Sequence, residues 1–361
     1  MWCAITGIGM VTPLGRSASE TWKALLRGMH ITRHCKPEGF EGPLRLAHMA
    51  TAAARQAVVD AGWESRLLAD DSTGLVTGTS KGLIELWMSA DPSLPAGLAP
   101  SPLTFGHIIA AELGMGPGPH VTVCGACASG LLAMVRAAMM LRAGEARRVL
   151  VVAAEASVHP LFLGSFQRLG VLAMPSDWCR PYDARGGGFL MSEAAAAVCL
   201  EPQVPAGRTG AVIVEHCGFA GDSFHMTRPD ADMKVLRKLL GAMGRPGDVQ
   251  FVHGHGTGTP GNDPAELAAI AAVLGSRTSP PVVWSHKGAL GHSLGAAGLL
   301  AVALSCLCHR EAIAPPMPTC WTPLNTTGVR VEPRGAQLKI QCSIVIASGF
   351  GGATAAVKLC S

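Results

Sequence analysis

Charged side chains are scarce in this chain, 15% of 361 residues, and aromatic ones scarcer still at 5%. The formal net charge is only +4, which gives no basis for nucleic-acid binding, where clustered positive charge carries the affinity. Long apolar runs are missing as well: the stretch AAGLLAVALSCLC at residues 296–308 falls short of the roughly 20 residues that a bilayer requires, so no membrane span is expected. Cysteine is plentiful but has no compact spacing framework. Twelve cysteines are scattered from Cys3 to Cys360, and no secretory signal precedes the strand-like MWCAITGIGMVTPLG. Reduced thiols in a cytoplasmic protein are therefore expected. The early TGIG lacks the further glycines and the lysine of a phosphate loop, and reads as a strand entering a turn.

What the chain does have is small and apolar. With 48% hydrophobic residues and 44 glycines, it can bury a large core in which helices and strands approach closely. Strand-like runs (WCAITGIG, TGLVTGT, VTVC, RRVLVVAAE, then GAVIVEHCGFA, VQFVHG, PVVW, QCSIVIAS) alternate with helical patterns such as LRLAHMATAAARQAVVDAG and PAELAAIAAVLG. Continuous apolar strands between helices imply an α/β protein with sheets covered on both faces. The order looks similar in both parts of the chain, with a break near PQVPAGRTG, which suggests halves at residues 1–205 and 206–361. CASGLLAMVRAAMML and HSLGAAGLLAVALSCL echo each other, both starting small and turning apolar at helical spacing.

In VTVCGACASGLLAM, residues 121–134, a β-branched run gives way to small residues and then to a helical pattern. Cys127 is thereby expected at a helix start, where the dipole and free backbone N–H groups favour a thiolate and bind an oxyanion. Cys124 falls at the strand end. A pair of buried apolar thiols, or half of a metal site, stays open at this point, although no second ligand pair of matching spacing accompanies the CxxC. Downstream, VHGHGTGTPGNDPAE places His255 in a Gly/Thr loop after a strand, SHKGALGHSLGAAG carries Lys287 and His292, and ASGFGGATAAV forms a glycine turn around Phe350. His253, two residues before His255, reads as structural. The methionines from Met134 to Met140 sit at helical spacing and read as core.

Together these segments resemble the β-ketoacyl synthases of the thiolase superfamily, specifically the elongating Cys-His-His type. The resemblance runs nearly end to end through TGIGMVTPLG, CGACASG, CRPYDARGGGFLMSEAA, DSFHMTRPDAD, HGHGTGTPGND, KGALGHSLGAAG and GFGG. It implies a thiolase-like fold, a duplicated αβαβα five-layered architecture with two mixed central sheets. It implies an acyltransferase that runs a decarboxylative Claisen condensation with malonyl-acyl carrier protein in fatty acid or polyketide synthesis. Cys127 would accept the acyl group, His255 and His292 would promote malonyl decarboxylation, and Lys287 would organise them. Glu193 and Phe350 fall on the supporting acidic and oxyanion-loop positions, and Met226 on a loop near the entrance for the phosphopantetheine arm. Thr257 and Thr259 belong to the His255 motif and are expected along that path. The resemblance calls for no metal or organic cofactor, since the substrate rides on the carrier's arm, and for a homodimer or a heterodimer with a related synthase subunit.

Several positions depart from the family's pattern. Gly125 stands where a threonine is usual, RGGGF replaces a charged turn, and the chain is short between Gly39 and Phe105. Ser348 occupies the place of a bulky aromatic gate. A non-catalytic partner subunit, like the chain-length factors, is the rival reading, but such subunits usually lose the cysteine that is retained here. A thiolase would carry a second cysteine in the glycine motif, and a starter-unit synthase an asparagine in place of His292.

Overall fold

The computed structural model describes residues 2–87, 101–174 and 177–361. Thirteen strands form: β1 Cys3–Val11, β2 Thr73–Gly78, β3 His120–Val123, β4 Arg148–Glu155, β5 Ala194–Glu201, β6 Val212–Gly221, β7 Phe251–His253, β8 Val282–Trp284, β9 Ile313–Ala314, β10 Arg330–Val331, β11 Ala336–Gln337, β12 Cys342–Ser348 and β13 Ala353–Cys360. The helices are α1 Ala18–Leu26, α2 Arg45–Ala61, α3 Ser65–Leu68, α4 Pro102–Leu113, α5 Ser129–Ala143, α6 Pro160–Arg168, α7 Lys234–Met243, α8 Asp263–Leu274, α9 Lys287–Leu290 and α10 Ala297–Glu311. Helix α6 was not anticipated. It is short and none of its residues is fully buried, although Phe162, Leu163 and Phe166 pack against the cluster that holds Cys127.

Within the sheet the strand order is β10-β8-β7-β12-β13-β6-β1-β5-β4-β2-β3, and the two halves repeat one plan. In the first, β3, β2 and β4 are parallel, while β5 and then β1 run antiparallel to their neighbours. In the second, β8, β7 and β12 are parallel, followed by antiparallel β13 and β6. The two expected sheets meet edge to edge through β1 and β6, where Cys3, Ala4 and Ile5 pair with Val214, Ile213 and Val212. Helices α2 and α4 cover the first half on one side, and α7 lies with α8 against the second. Between the halves, α5 and α10 pack on each other and on strands of both. These are the two segments that echo each other in the sequence.

Ala126–Ala143 and Leu294–Glu311 are each 18 residues long and apolar enough to cross a membrane, the latter extending the run judged too short above. Their faces are already occupied: 67% and 83% of the two windows are buried inside the protein. Their apolarity serves the contact between layers, since a helix hydrophobic all round is what the centre of a large α/β protein requires.

The expectation of reduced thiols throughout is corrected at one place. Cys342 and Cys360 stand opposite each other on antiparallel β12 and β13, with Cα atoms 4.2 Å apart, and are joined in a disulfide. Nothing in their spacing announces this, because the pairing is created by strand register. The remaining ten cysteines are free.

Candidate active site

Each half delivers its chemistry from the C-terminal ends of its parallel strands. After β3 the chain turns sharply at Gly125 and Ala126 and enters α5, leaving Cys127 two residues before the helix, 8% exposed. Ala126 sits at φ 49°, a left-handed conformation that costs a non-glycine residue roughly 1–2 kcal/mol. It is held by Ser129, whose hydroxyl accepts from Gly125 N at 2.9 Å and donates to the Ala126 carbonyl at 2.6 Å. At Gly125 a Cβ would lie 2.3 Å from Leu132 Cδ1, so the leucine occupies the space a threonine side chain would need. The glycine loop closes from the other side. A Cβ on Gly349 would fall 2.8 Å from the Gly125 carbonyl and 3.2 Å from Cys127 N, so only glycine lets the Phe350 loop approach the Cys127 backbone.

His255 follows β7 in a loop whose backbone is gripped by two buried carboxylates on the first turn of α8. Glu266 accepts from His255 N at 2.6 Å and Gly256 N at 2.8 Å, and Asp263 from Thr257 N at 2.9 Å and Gly258 N at 3.0 Å. Tyr182, the chain's only tyrosine, donates its hydroxyl to Glu266 at 2.9 Å and its backbone N–H to Asp263 at 2.7 Å. The ring of His255 is oriented by a bond the sequence did not announce, Ser348 N donating to His255 Nδ1 at 3.3 Å. In the neutral imidazole this leaves the hydrogen on Nε2.

Lys287 opens the short helix after β8 and donates its ammonium to the His255 carbonyl. His292 lies beyond that helix, its N–H bonded to the Leu190 carbonyl at 2.7 Å. The His255 and His292 rings meet edge to face with centroids 5.6 Å apart, and Phe189 lies edge-on to His292 at 4.9 Å. Burial, reinforced by the Lys287 charge, holds both imidazoles well below their usual pKa, so both are neutral near pH 7. Burial also lowers Lys287. For Cys127 the expected bias toward thiolate is corrected: burial pushes the thiol up to about 11, and the opposing pull of Lys81 and Lys287 only partly offsets it. In the free site the sulfur therefore carries its proton.

Cys127, His255 and His292 open on a cleft with about 1160 Å³ of open space, its solvent-facing mouth included. Ser348, Phe350, Thr257, Thr259 and Met226 also line it. Ser348 Oγ lies 3.4 Å from Thr354 Oγ1, and Thr257 and Thr259 pair through their hydroxyls at 2.8 Å. Met226 is 77% exposed at the mouth, with its carbonyl bonded to Gly351 N at 2.7 Å. Phe350 stands 6.1 Å from Phe166, a residue of the unanticipated α6. Glu193 is placed elsewhere. It is fully buried in a bidentate pair with Arg45, at 2.8 and 2.6 Å, and accepts from Val158 N at 2.9 Å. Beside it, Ser192 N donates to the His292 carbonyl at 3.1 Å. Asp263, Glu266 and Tyr182 were within the quoted motifs, but a carboxylate collecting backbone N–H groups leaves no spacing signature. Part of the shortened segment between Gly39 and Phe105, residues 88–100, lies outside the described residues.

A duplicated α/β fold with a buried Cys, two neutral His and a Lys at the strand ends defines an acyl-thioester enzyme of the thiolase kind. Residues 44–206 match the β-ketoacyl synthase N-terminal domain and residues 211–320 its C-terminal domain. The 3-oxoacyl-[acyl-carrier-protein] synthase 2 of Coxiella burnetii is 30% identical over 403 residues, 98% of this chain and 97% of the relative. A putative polyketide beta-ketoacyl synthase 1 of Streptomyces cyaneus is 29% identical over 412 residues, 99% and 97% of the two chains. Among solved structures, the ishigamide ketosynthase/chain length factor superimposes with TM-score 0.85 at 29% identity, covering 99% of this chain and 98% of the other. A type II polyketide ketosynthase in complex with its acyl-carrier protein shares the fold, with TM-score 0.87 at 22% identity over 99% of both chains. The chain belongs to the β-ketoacyl synthase family and is an acyltransferase.

Proposed function

We propose that this synthase loads an acyl group onto Cys127 and condenses it with a malonyl unit carried by acyl carrier protein. In loading, the Cys127 sulfur displaces the carrier thiol from the acyl thioester, and the cysteine proton leaves with that thiol. The backbone N–H groups of Cys127 and Phe350 form the oxyanion hole for the tetrahedral intermediate. In the second half-reaction, loss of carbon dioxide from the malonyl thioester leaves an enolate, whose oxygen accepts hydrogen bonds from His255 and His292. Its carbon attacks the Cys127 thioester carbonyl, the C–S bond breaks, and the sulfur leaves as a thiolate that takes a proton from solvent to restore the thiol. The carbanion comes from decarboxylation, so the chemistry calls on no metal or organic cofactor.

The observation that carries this reading is the Ser348 N–H on His255 Nδ1, which turns an Nε2–H donor toward the cleft. Burial, helped by the charge of Lys287, keeps that imidazole neutral, and the bond from Lys287 to the carbonyl of the same residue holds its loop. The direct test is intact-protein mass after incubation with a panel of acyl-carrier-protein thioesters, followed by malonyl-acyl carrier protein. One acyl increment that disappears on condensation supports it, and a chain that never acylates overturns it. Use of a carrier protein supports a cytoplasmic location.

Two further expectations arise here. Ser348→Phe should slow acylation by bulky or rigid chains more than by short linear ones, because filling a pocket penalises the larger ligand first. Equal slowing of both classes would leave Ser348 as ordinary loop variation. Second, β3 ends the sheet with no neighbour on its outer edge among the described residues and is only partly buried. An open edge recruits another strand, so the protein should sediment as a dimer, either homodimeric or with a related synthase subunit. A fully active monomer at micromolar concentration would contradict this.

A further inference from the structure

Three elements deliver the three basic residues of the site: β7 leads to His255, β8 to Lys287, and His292 lies just ahead of α10. Backbone pairing between β7 and β8 ends with His253 beside Trp284 and Gly254 N bonded to the Trp284 carbonyl at 2.9 Å. Beyond that point, side chains continue the link. His253 Nε2 lies 2.8 Å from His286 Nδ1, and His253 Nδ1 lies 3.0 Å from Ser305 Oγ on α10. All three residues are fully buried. One chain of hydrogen bonds, Ser305 to His253 to His286, thus ties together the three elements that carry His255, Lys287 and His292.

In the neutral pair one ring donates and the other accepts across the 2.8 Å contact. His286 Nε2 has no partner among the described residues. Leaving a buried nitrogen unpaired is costly, and a buried polar chain of this kind is retained where it specifies one arrangement of its elements. Burial holds both rings well below the usual histidine range. The pair is therefore neutral, and Lys287 meets a polar strut beside it that adds no second positive charge.

We propose that His253 and His286 are positioning residues for decarboxylation, holding the His255 and Lys287 strand ends in register with the helix behind His292. The proposal rests on the function given above for His255 and His292. It does not extend to acyl loading, because Cys127 hangs from β3 and α5, to which none of the three hydrogen-bonded residues belongs.

The test compares His286→Phe, which keeps a ring and removes the bond, with His286→Asn, which can still hydrogen-bond from near the Nδ1 position. With a malonyl pantetheine thioester as probe, His286→Phe should lower kcat for carbon dioxide release 10- to 100-fold with KM little changed, as expected when catalytic groups lose their alignment. Mass spectrometry should show acyl loading of Cys127 at the parent rate. His286→Asn should stay within about threefold of the parent. Ser305→Ala, which removes only the α10 end of the chain, should give a smaller loss in the same step, and it keeps the test available should the phenylalanine variant not fold. Loading and decarboxylation falling in parallel with Tm, or parent decarboxylation in folded His286→Phe, would overturn the proposal. His255→Ala and His292→Ala run alongside separate the two levels. If they too release carbon dioxide normally, the functional reading itself fails; if only they are impaired, the positioning role alone fails.

Discussion

Cys127→Ala is expected to abolish both the acyl mass increment and condensation, while Cys124→Ala keeps most activity. The two thiols lie three residues apart, yet one is exposed and the other is buried at the foot of the cleft. Only Cys127 adjoins the start of α5 and the Phe350 loop, where a developing oxyanion meets backbone donors. A small alkylating reagent should mark Cys124 first, whereas an acyl thioester should mark Cys127 alone. Because burial pushes the Cys127 thiol up to about 11, its alkylation in the free protein should climb with pH across the neutral range, the thiolate being the reactive form. A rate already flat at pH 7 would show that a neighbouring group deprotonates it. Loss of acyl labelling in Cys124→Ala with Cys127 intact would overturn the assignment of the nucleophile.

The second large effect falls on carbon dioxide release. His255→Ala or His292→Ala should each cost about 10²–10³ in malonyl decarboxylation, the usual loss for one oxyanion donor in a closed site, and far less in acyl transfer to Cys127. The sign with pH follows from the same geometry. Both imidazoles must be neutral to act in this way, and burial with the Lys287 charge holds their pKa values well below the ordinary 6.5. Decarboxylation should then persist at full rate as pH falls through 6.5, where an unperturbed histidine would protonate. A rate that halves near that value would mean that water and charge reach the rings more freely than their burial implies. Normal release by both variants would remove the assigned role.

The reaction class was legible because it resides in short contiguous motifs. A β-branched run, two small residues and a helix are enough to place Cys127 at an elbow, and HGHGTGT, SHKGALGH and ASGFGG each carry a residue of the cleft in a local turn. The α/β class was legible because a buried strand and a buried helix write different periods into the chain. Much else depended on tertiary contact. The carboxylates of Asp263 and Glu266 hold the His255 loop through backbone N–H groups, which every non-proline residue has, so their role leaves no mark in composition. Proton placement on His255 follows from Ser348, 93 residues away, whose backbone rather than its hydroxyl makes the bond. His253 was read from sequence as merely structural, and only the register of β7 against β8 brings it to His286. The protonated state of Cys127 came from burial outweighing the pull of Lys81 and Lys287. Strand register likewise set Cys360 against Cys342. Local sequence determined which side chains carry the chemistry, because turns and caps are local. Packing decided their ionisation and orientation, because desolvation and hydrogen bonding depend on what the rest of the chain brings within a few ångströms.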